Sequence, residues 1–507
     1  MTNCHNTLFT SNLPHCIYSA EWLRTWELQG AKLAGISLYE LMQRAGTAAF
    51  NCINCVYPYA NYWLILVGHG NNGADGYVVA KLAATAGKQV TVLSCGVRNL
   101  LSDEAIQAQT AWLAIGGKIQ SKDTFWPKKI DIIVDALLGT GLKSAPRNPY
   151  ASLIIQANKH LAPICALDIP SGLLADTGAT PGEVIHAVHT ITFIALKPGL
   201  FTGQARSVTG QIHYDDLGLN KWLNDETPFM TRLSTELLPW WLPPCNPCIH
   251  KGNNGRLLII GGDHGLSGAI RMTGEAALRS GVGLVRILTR KENISSLLTA
   301  RPEIMVSPLN HESLQHALQW ADVVVIGPGL GKKTWGTNAL NIVKTFDKPM
   351  LWDADALNLL ALNPNQRHNR IMTPHSAEAA RLLHIDVSDI ESNRILAVKK
   401  LANIYGGVVV LKGAGTLISS YGSDGVTSVV DVGNAGMASG GMGDVLSGII
   451  GSFLAQKLSM YNAACAGCVV HGAAADYLAI KKGKRGMLAT DLFPILSQFV
   501  NPELHRK

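Results

Sequence analysis

Apolar residues fall along this chain in two kinds of pattern. Between residues 18 and 50 they recur at helical spacing, as at Leu38, Leu41, Met42 and Ala45, interrupted by Gly30, Gly35 and Gly46. Short, nearly unbroken apolar runs follow at 63–67, 90–93, 130–134, 164–167 and 190–195, spaced widely enough for a helix between each pair. A strand without a polar face is one covered on both sides, so these runs predict parallel strands alternating with helices in a doubly wound sheet. From about 215 to 250 the pattern dissolves into Asn, Pro and Trp, as in Leu238-Pro239-Trp240-Trp241-Leu242-Pro243-Pro244. A second series then begins, with runs at 257–260, 282–288, 323–326, 350–352 and 408–411, each expected to lead through a turn into a helix.

Length agrees with two units, because 507 residues exceed what one hydrophobic core serves. The expectation is an α/β domain over 1–217, a linker at 218–236 and a second α/β domain over 237–507. A composition of 47% hydrophobic, 16% charged and 7% aromatic residues describes a globular protein and excludes a disordered or fibrous one. The 50 glycines suit strand-to-helix turns at which backbone must come close to a ligand. A net charge of +7 favours anionic partners, but the Lys and Arg residues are scattered, which suits phosphate-bearing small molecules better than nucleic acid.

Residues 463–480 are apolar but rich in Ala and Gly, and they contain His471 and Asp476, so a buried helix is expected there and no membrane span. The N-terminus has no basic segment followed by an apolar core and a cleavage site, and a cytoplasmic location is expected. Three CxxC spacings occur among the ten cysteines: Cys52/Cys55, Cys245/Cys248 and Cys465/Cys468. Cys245, Cys248 and His250 could supply three zinc ligands, but no fourth follows at finger spacing, and the other pairs lie in helical patterns. Structural thiols are the expectation.

In the first half a strand runs into Gly68-His69-Gly70-Asn71-Asn72-Gly73-Ala74-Asp75-Gly76, a glycine-rich turn expected to open a helix at 77–86. Amides at a helix start converge on an anion. Later strands end in Asp135-Ala136-Leu137-Leu138-Gly139-Thr140-Gly141 and Asp168-Ile169-Pro170-Ser171-Gly172. Carboxyl ends of neighbouring parallel strands share one crevice, so Asn72, Asp135, Asp168 and Ser171 can converge there as a monovalent-cation site, although either aspartate can also be a helix cap. In the second half, Gly433-Asn434-Ala435-Gly436-Met437-Ala438-Ser439-Gly440-Gly441-Met442-Gly443-Asp444 frees amides at a helix start and sets a carboxylate beside them. Such amides steady charge on a transferring phosphoryl group while the carboxylate takes the proton of an attacking hydroxyl. Lys412-Gly413-Ala414-Gly415-Thr416 offers a lysine and exposed amides to a nucleotide phosphate. Further strand-end turns occur at Gly261-Gly262-Asp263, Gly327-Pro328-Gly329 and Thr373-Pro374-His375, where His375 either contacts substrate or caps a helix.

The first set of motifs, with Thr192-Phe193-Ile194-Ala195-Leu196-Lys197-Pro198-Gly199, resembles the NAD(P)H-hydrate epimerases over about 18–216. That resemblance implies a Rossmann-like three-layer α/β/α fold, with Asn71, Asn72, Gly73, Ala74 and Asp75 holding substrate and Asn72, Asp135 and Ser171 binding K+. It implies that Gly139, Thr140, Gly141, Leu142, Lys143, Ser144 and Ala145 cradle substrate phosphate. Asp168 would then be the acid/base group at the hydrated nicotinamide, with Lys197 either neutralising a phosphate or lying on the surface. Ala74 stands where the family usually has glycine.

The second set resembles the ribokinase-like NAD(P)H-hydrate dehydratases over about 237–496. Ala269, Gly329, His375 and Asp444 would contact the hydrate, while Lys412, Gly413, Ala414, Gly415, Thr416 and Gly443 would hold the nucleotide. Asp444 would be the base, Mg2+ would bridge phosphates, and the donor would be ADP, as in bacterial-type members, where eukaryotic ones use ATP. Met442, Ser376-Ala377 and Leu266 depart from the family's usual Thr, Pro-Gly and aromatic. The two resemblances together imply repair of NADHX and NADPHX by a homo-oligomer without nucleic-acid or membrane partners. The rival reading is a small-alcohol kinase of ribokinase-like fold fused to a non-catalytic nucleotide-binding domain.

Overall fold

Within the strand Tyr62–Val67, Trp63, Ile65 and Val67 enter one apolar cluster while Leu64 and Leu66 enter another, so both faces of the sheet are covered. This is the physical content of the unbroken apolar run, each such side chain contributing about 1.5–3 kcal/mol on burial. The computed structural model describes residues 13–95, 101–245, 247–248, 250–422 and 425–505. The chain divides into two compact units, 1–231 and 232–507. The division falls inside the stretch expected to be a linker, yet that stretch is ordered: it holds the helix Asn220–Leu223 and the strand Met230–Leu233.

The first unit is a seven-stranded parallel sheet in the order Ile119–Ser121, Gln89–Ser94, Tyr62–Val67, Ile132–Ala136, Ile164–Leu167, His189–Phe193, Gln211–Asp215. Strand order reverses between Tyr62–Val67 and Ile132–Ala136, which opens a crevice outside their carboxyl ends. The helical spacing between residues 18 and 50 belongs to two helices, Ala20–Ala34 and Leu38–Val56, parted at Gly35 with φ 69°. Ser37 and Glu40 form a capping box that starts the second.

One expectation is corrected here. The helix predicted from Tyr77 begins six residues earlier, as Asn71–Thr85, so Asn71 to Gly76 are its first turns. Apolar periodicity could not mark that start, because Ala74 is the single apolar side chain among residues 71–76. Gly73 is required by contact, since a Cβ there would lie 2.3 Å from the Gly68 carbonyl oxygen. Ala74 is buried and helical, a conformation that needs no glycine.

In the second unit a sheet runs Thr427–Val430, Leu417–Ser420, Val408–Leu411, Arg370–Met372, Met350–Trp352, Val323–Ile326, Arg256–Ile260, Leu284–Thr289, Met305–Pro308. From Val408–Leu411 to Met305–Pro308 all neighbours are parallel, with a reversal of order between Val323–Ile326 and Arg256–Ile260. The helix expected after Val408–Leu411 is absent, a second correction: the chain turns back at once into Leu417–Ser420, and Thr427–Val430 adds a third antiparallel strand. Gly413 and Gly415, with φ 147° and 64°, make that reversal possible. The helix Met460–Lys482 is long and apolar enough to cross a membrane by composition, but 78% of its apolar window is buried within the protein. Cys465 and Cys468 are buried thiols on it, whereas Cys245 and Cys248 are exposed.

Candidate active sites

At the first crevice Asp135 is fully buried. Its carboxyl accepts hydrogen bonds from the Ser171 hydroxyl (2.6 Å), the Ser171 amide (2.8 Å) and the Leu137 amide (3.2 Å). Burial pushes its pKa up to about 6 against the pull of those donors. The Asn72 amide donates to the Leu138 carbonyl at 3.1 Å, while Asn72 Oδ1 is buried with no hydrogen-bond partner. Asn72, Asp135 and Ser171 are thus brought together through Leu138, whose carbonyl accepts from both the Asn72 amide and the Ser171 hydroxyl.

Asp168 follows the strand Ile164–Leu167 with φ 61°, and Ile194 follows His189–Phe193 with φ 66°. A β-branched residue in the left-handed region is strained, and such strain gathers at sites whose geometry the surroundings enforce. Asp168 Oδ1 accepts from the Lys197 ammonium, from the Thr192 hydroxyl at 3.2 Å and from the Phe193 amide at 3.3 Å. Lys197 is only 3% exposed and also donates to Thr192 Oγ1 and the Phe193 carbonyl. The surface reading of Lys197 therefore gives way: the side chain is buried and engaged by Asp168.

Two residues of the first helix were missed. Arg24 donates to the Thr140 carbonyl at 3.3 Å, so the helix Ala20–Ala34 overlies the loop expected to cradle phosphate. Glu27 is half-buried, and burial together with the charge of Asp168 pushes its pKa up to about 7. The signal was present in the sequence, as a carboxylate on the stripe of Leu23, Trp26, Gly30 and Ala31, which are all buried. Asp75 is raised well above the usual carboxylate range by burial, then by Asp168 and Glu27. Gly139 packs against Asn72, but Gly141, Lys143, Ser144 and Ala145 are exposed, and Asn71 is exposed with its Oδ1 taken by the Ser102 hydroxyl.

In the second unit Asp444 stands in the first turn of the helix Met442–Ala455, entered through Gly441 at φ 92°. Burial and the nearby Asp353 push its pKa up to about 7, while Lys412 draws it down. Lys412 Nζ donates to Asp353 Oδ1 at 2.9 Å and would lie 3.4 Å from a Cβ at Gly443. Asp353 also accepts from the Ser447 hydroxyl at 2.8 Å, and the next residue, Ala354, has φ 48°. Asp353, which the sequence reading left out, ties the lysine of one strand end to the helix that bears Asp444.

Gly329, at φ 58°, leaves room for Leu266 and Ala269, whose Cβ would be 3.4 Å from one on Gly329. Met272, one turn beyond Ala269 on the helix Ser267–Arg279, reaches Gly441. His375 caps the helix Ser376–Leu383 by accepting from the Ala377 amide, and its ring is half-exposed beside Glu378. Its pKa is lowered by burial and by Lys412, which places it at the same cleft. The loop 412–416 is closed on itself, since Thr416 Oγ1 donates to the Gly413 carbonyl, and Arg394 supports it through the Lys412 carbonyl. Asp476 holds the Gly433 amide and the Asn434 side chain, which fixes the start of the glycine motif.

The class these features define is a pair of α/β modules, the first with a carboxylate-lined crevice at its strand ends and the second with a glycine-rich cleft of ribokinase-like type. A family model described as YjeF-related protein N-terminus matches residues 38–199, and one described as NAD(P)H-hydrate dehydratase matches residues 257–498. The chain is 60% identical over 496 residues to the bifunctional NAD(P)H-hydrate repair enzyme of Escherichia coli (strain K12), covering 98% of this chain and 96% of that protein. It is 42% identical over 492 residues to the enzyme of the same description from Vibrio cholerae serotype O1, covering 96% and 99%. A ribokinase-like superfamily protein from Enterococcus faecalis covers 54% of this chain and 98% of its own, with 30% identity and a TM-score of 0.50. The chain belongs to the bifunctional NAD(P)H-hydrate repair enzymes.

Proposed function

We propose that the first unit interconverts the epimers of NADHX and NADPHX at C6 of the nicotinamide ring and that the second dehydrates one epimer to NADH or NADPH with a nucleotide as phosphoryl donor. The observation that carries this reading is Asp444: a carboxyl pushed up to about 7, beside the free amides of a helix start and within reach of Lys412. A base poised near the working pH takes the proton of the C6 hydroxyl, whose oxygen attacks the terminal phosphoryl group of ADP. Gly443 and Lys412 steady the charge that develops, and the nucleotide leaves as AMP. Phosphate then departs from C6 as the ring-nitrogen lone pair forms C6=N1, and loss of a proton from C5 to solvent returns that pair to nitrogen and leaves the C5=C6 double bond of the restored ring. Ala269, Gly329 and His375 border the hydrate, and Gly413, Ala414, Gly415 and Thr416 the nucleotide.

Among the described residues no cluster of three His, Cys, Asp or Glu side chains could hold a metal ion. The donor set of the second cleft fits Mg2+ carried on nucleotide phosphates with few protein ligands. In the first crevice the unpartnered Asn72 Oδ1, the Leu138 carbonyl, the Ser171 hydroxyl and the Asp135 carboxyl suit K+, whose charge would steady substrate oxygens there. Asp168 acts on the hydrated ring while Lys197, Thr192 and the Phe193 amide hold its Oδ1 in place, and Asn71 to Asp75 with Gly139 to Ala145 receive the phosphate-bearing remainder.

The test is a repair assay on mixed hydrate epimers with ADP or ATP, with and without K+. Full recovery of NADH absorbance is expected with ADP. Recovery that stops at half of the hydrate means no epimerase, and a stable phosphorylated product without NADH would return the kinase reading. In the same assay Asp168→Ala should leave half of the hydrate unrepaired.

A further inference from the structure

Glu27 is a carboxylate where its helix has no need of one. Residues 23, 26, 30 and 31 of Ala20–Ala34 form its buried stripe, and Glu27 lies on that stripe, one turn beyond Leu23 and one turn before Ala31. Its helix is fixed at both relevant points. The Ala20 amide donates to Asp176 Oδ1 at 2.6 Å, and Arg24, one turn before Glu27, donates to the Thr140 carbonyl of the expected phosphate loop. Asp176 belongs to the segment that follows Asp168, so the helix is pinned to the strand ends on which the substrate ring is expected.

We propose that Glu27 is the second acid/base group of the epimerase, acting on the opposite side of the hydrated ring from Asp168. The inference rests on the placement of Asp168 at that ring. The Glu27 carboxyl gives its proton to the departing C6 hydroxyl, which leaves as water with the C–O electron pair while the ring-nitrogen lone pair forms C6=N1. Water then adds to C6 from the other face, the C6–N1 pair returns to nitrogen, and the proton lost by that water passes to Asp168. Solvent carries the proton from Asp168 back to Glu27, which completes the cycle without any oxidant or reductant.

The charged groups that act on Glu27 are Asp168, Lys197 and Arg24, and Glu27 in turn acts on Asp75. Burial and the Asp168 carboxylate outweigh the two cations, so Glu27 keeps its proton up to about pH 7, as an acid in this role must. Among the described residues, the hydrogen bonds to the Asp168 carboxyl fall on Oδ1, which leaves Oδ2 to the water. Lys197 serves Asp168 and cannot supply the missing proton while it donates to three oxygens.

Epimer exchange by the full chain, followed by NMR across pH, tests this. Glu27→Gln should lower kcat about 10²-fold with little change in KM, and should erase the fall in rate as pH rises through about 7. A Glu27→Gln protein with wild-type kcat, or one that keeps this fall, overturns the proposal. Should that variant fail to fold, Glu27→Asp decides: a several-fold lower kcat with the fall retained supports the role, and an unchanged kcat overturns it. Asp168→Asn is run in parallel. Wild-type exchange in that variant defeats the underlying assignment of Asp168, whereas its loss alongside a fully active Glu27→Gln defeats Glu27 alone.

Discussion

The two sites solve opposite problems with the same pair of residue types. In the first unit the buried Lys197 hydrogen-bonds Asp168 directly, so the carboxylate at the site is held with its counter-charge in place. In the second, Lys412 is engaged by Asp353, and Asp444 feels it only at longer range. The second arrangement leaves Asp444 pushed up to about 7, while Lys412 stands beside Gly443 where phosphoryl charge would develop. Asp353, by engaging the lysine, leaves Asp444 free of a direct ion pair among the described residues. The first site instead needs an anion fixed among other carboxylates, and there direct pairing serves.

The comparison breaks most severely at Asp444. Asp444→Asn should reduce dehydration about 10²- to 10⁴-fold while epimer exchange persists, read as NADH recovery against NMR exchange on one preparation. Its stability should move the other way. The folded pKa of about 7 lies above the ordinary carboxylate value, so the stabilising contribution of the protonated form is full at low pH and is lost as pH rises through 7. Asn escapes that loss, and the variant should gain at most about 4 kcal/mol over wild type at pH 8, visible as a higher melting temperature that vanishes near pH 4. Next in size, Lys197→Met removes one partner of a buried pair and should cost about 3 kcal/mol of unfolding free energy together with epimerase activity, measured by urea titration.

A smaller effect tests the diversion itself. Asp353→Asn releases Lys412 toward Asp444 and removes a negative neighbour, both of which lower the Asp444 pKa, so the acid limb of the dehydration rate should shift to lower pH. A limb that stays in place would mean that Asp353 does not divert the lysine. Smallest of all, KCl should raise the melting temperature of the first unit by about 2–4 °C relative to choline chloride, and Ser171→Ala should abolish that rise.

Much of the scaffold was legible along the chain. The runs at 164–167, 323–326, 350–352 and 408–411 coincide with observed strands because a fully buried parallel strand admits no polar interruption. Strands such as Gln211–Asp215 and Thr427–Val430 were missed, since alternating or hydroxyl-bearing residues leave no continuous apolar run. The hairpin after residue 411 escaped notice because a glycine loop reads alike before a helix or a returning strand. At the sites, Glu27 and Asp353 were not singled out, since neither belongs to a glycine motif, although Asp353 directly follows the strand Met350–Trp352.

The amino-acid order alone determined that there are two doubly wound sheets and where their glycine-rich turns lie, because burial on both faces and close backbone approach restrict residue type at each position. Which carboxylate each lysine neutralises, and which acid therefore keeps its proton at neutral pH, was decided only by the tertiary structure. Desolvation and charge–charge distance act across residues far apart in the chain, and no local pattern encodes them.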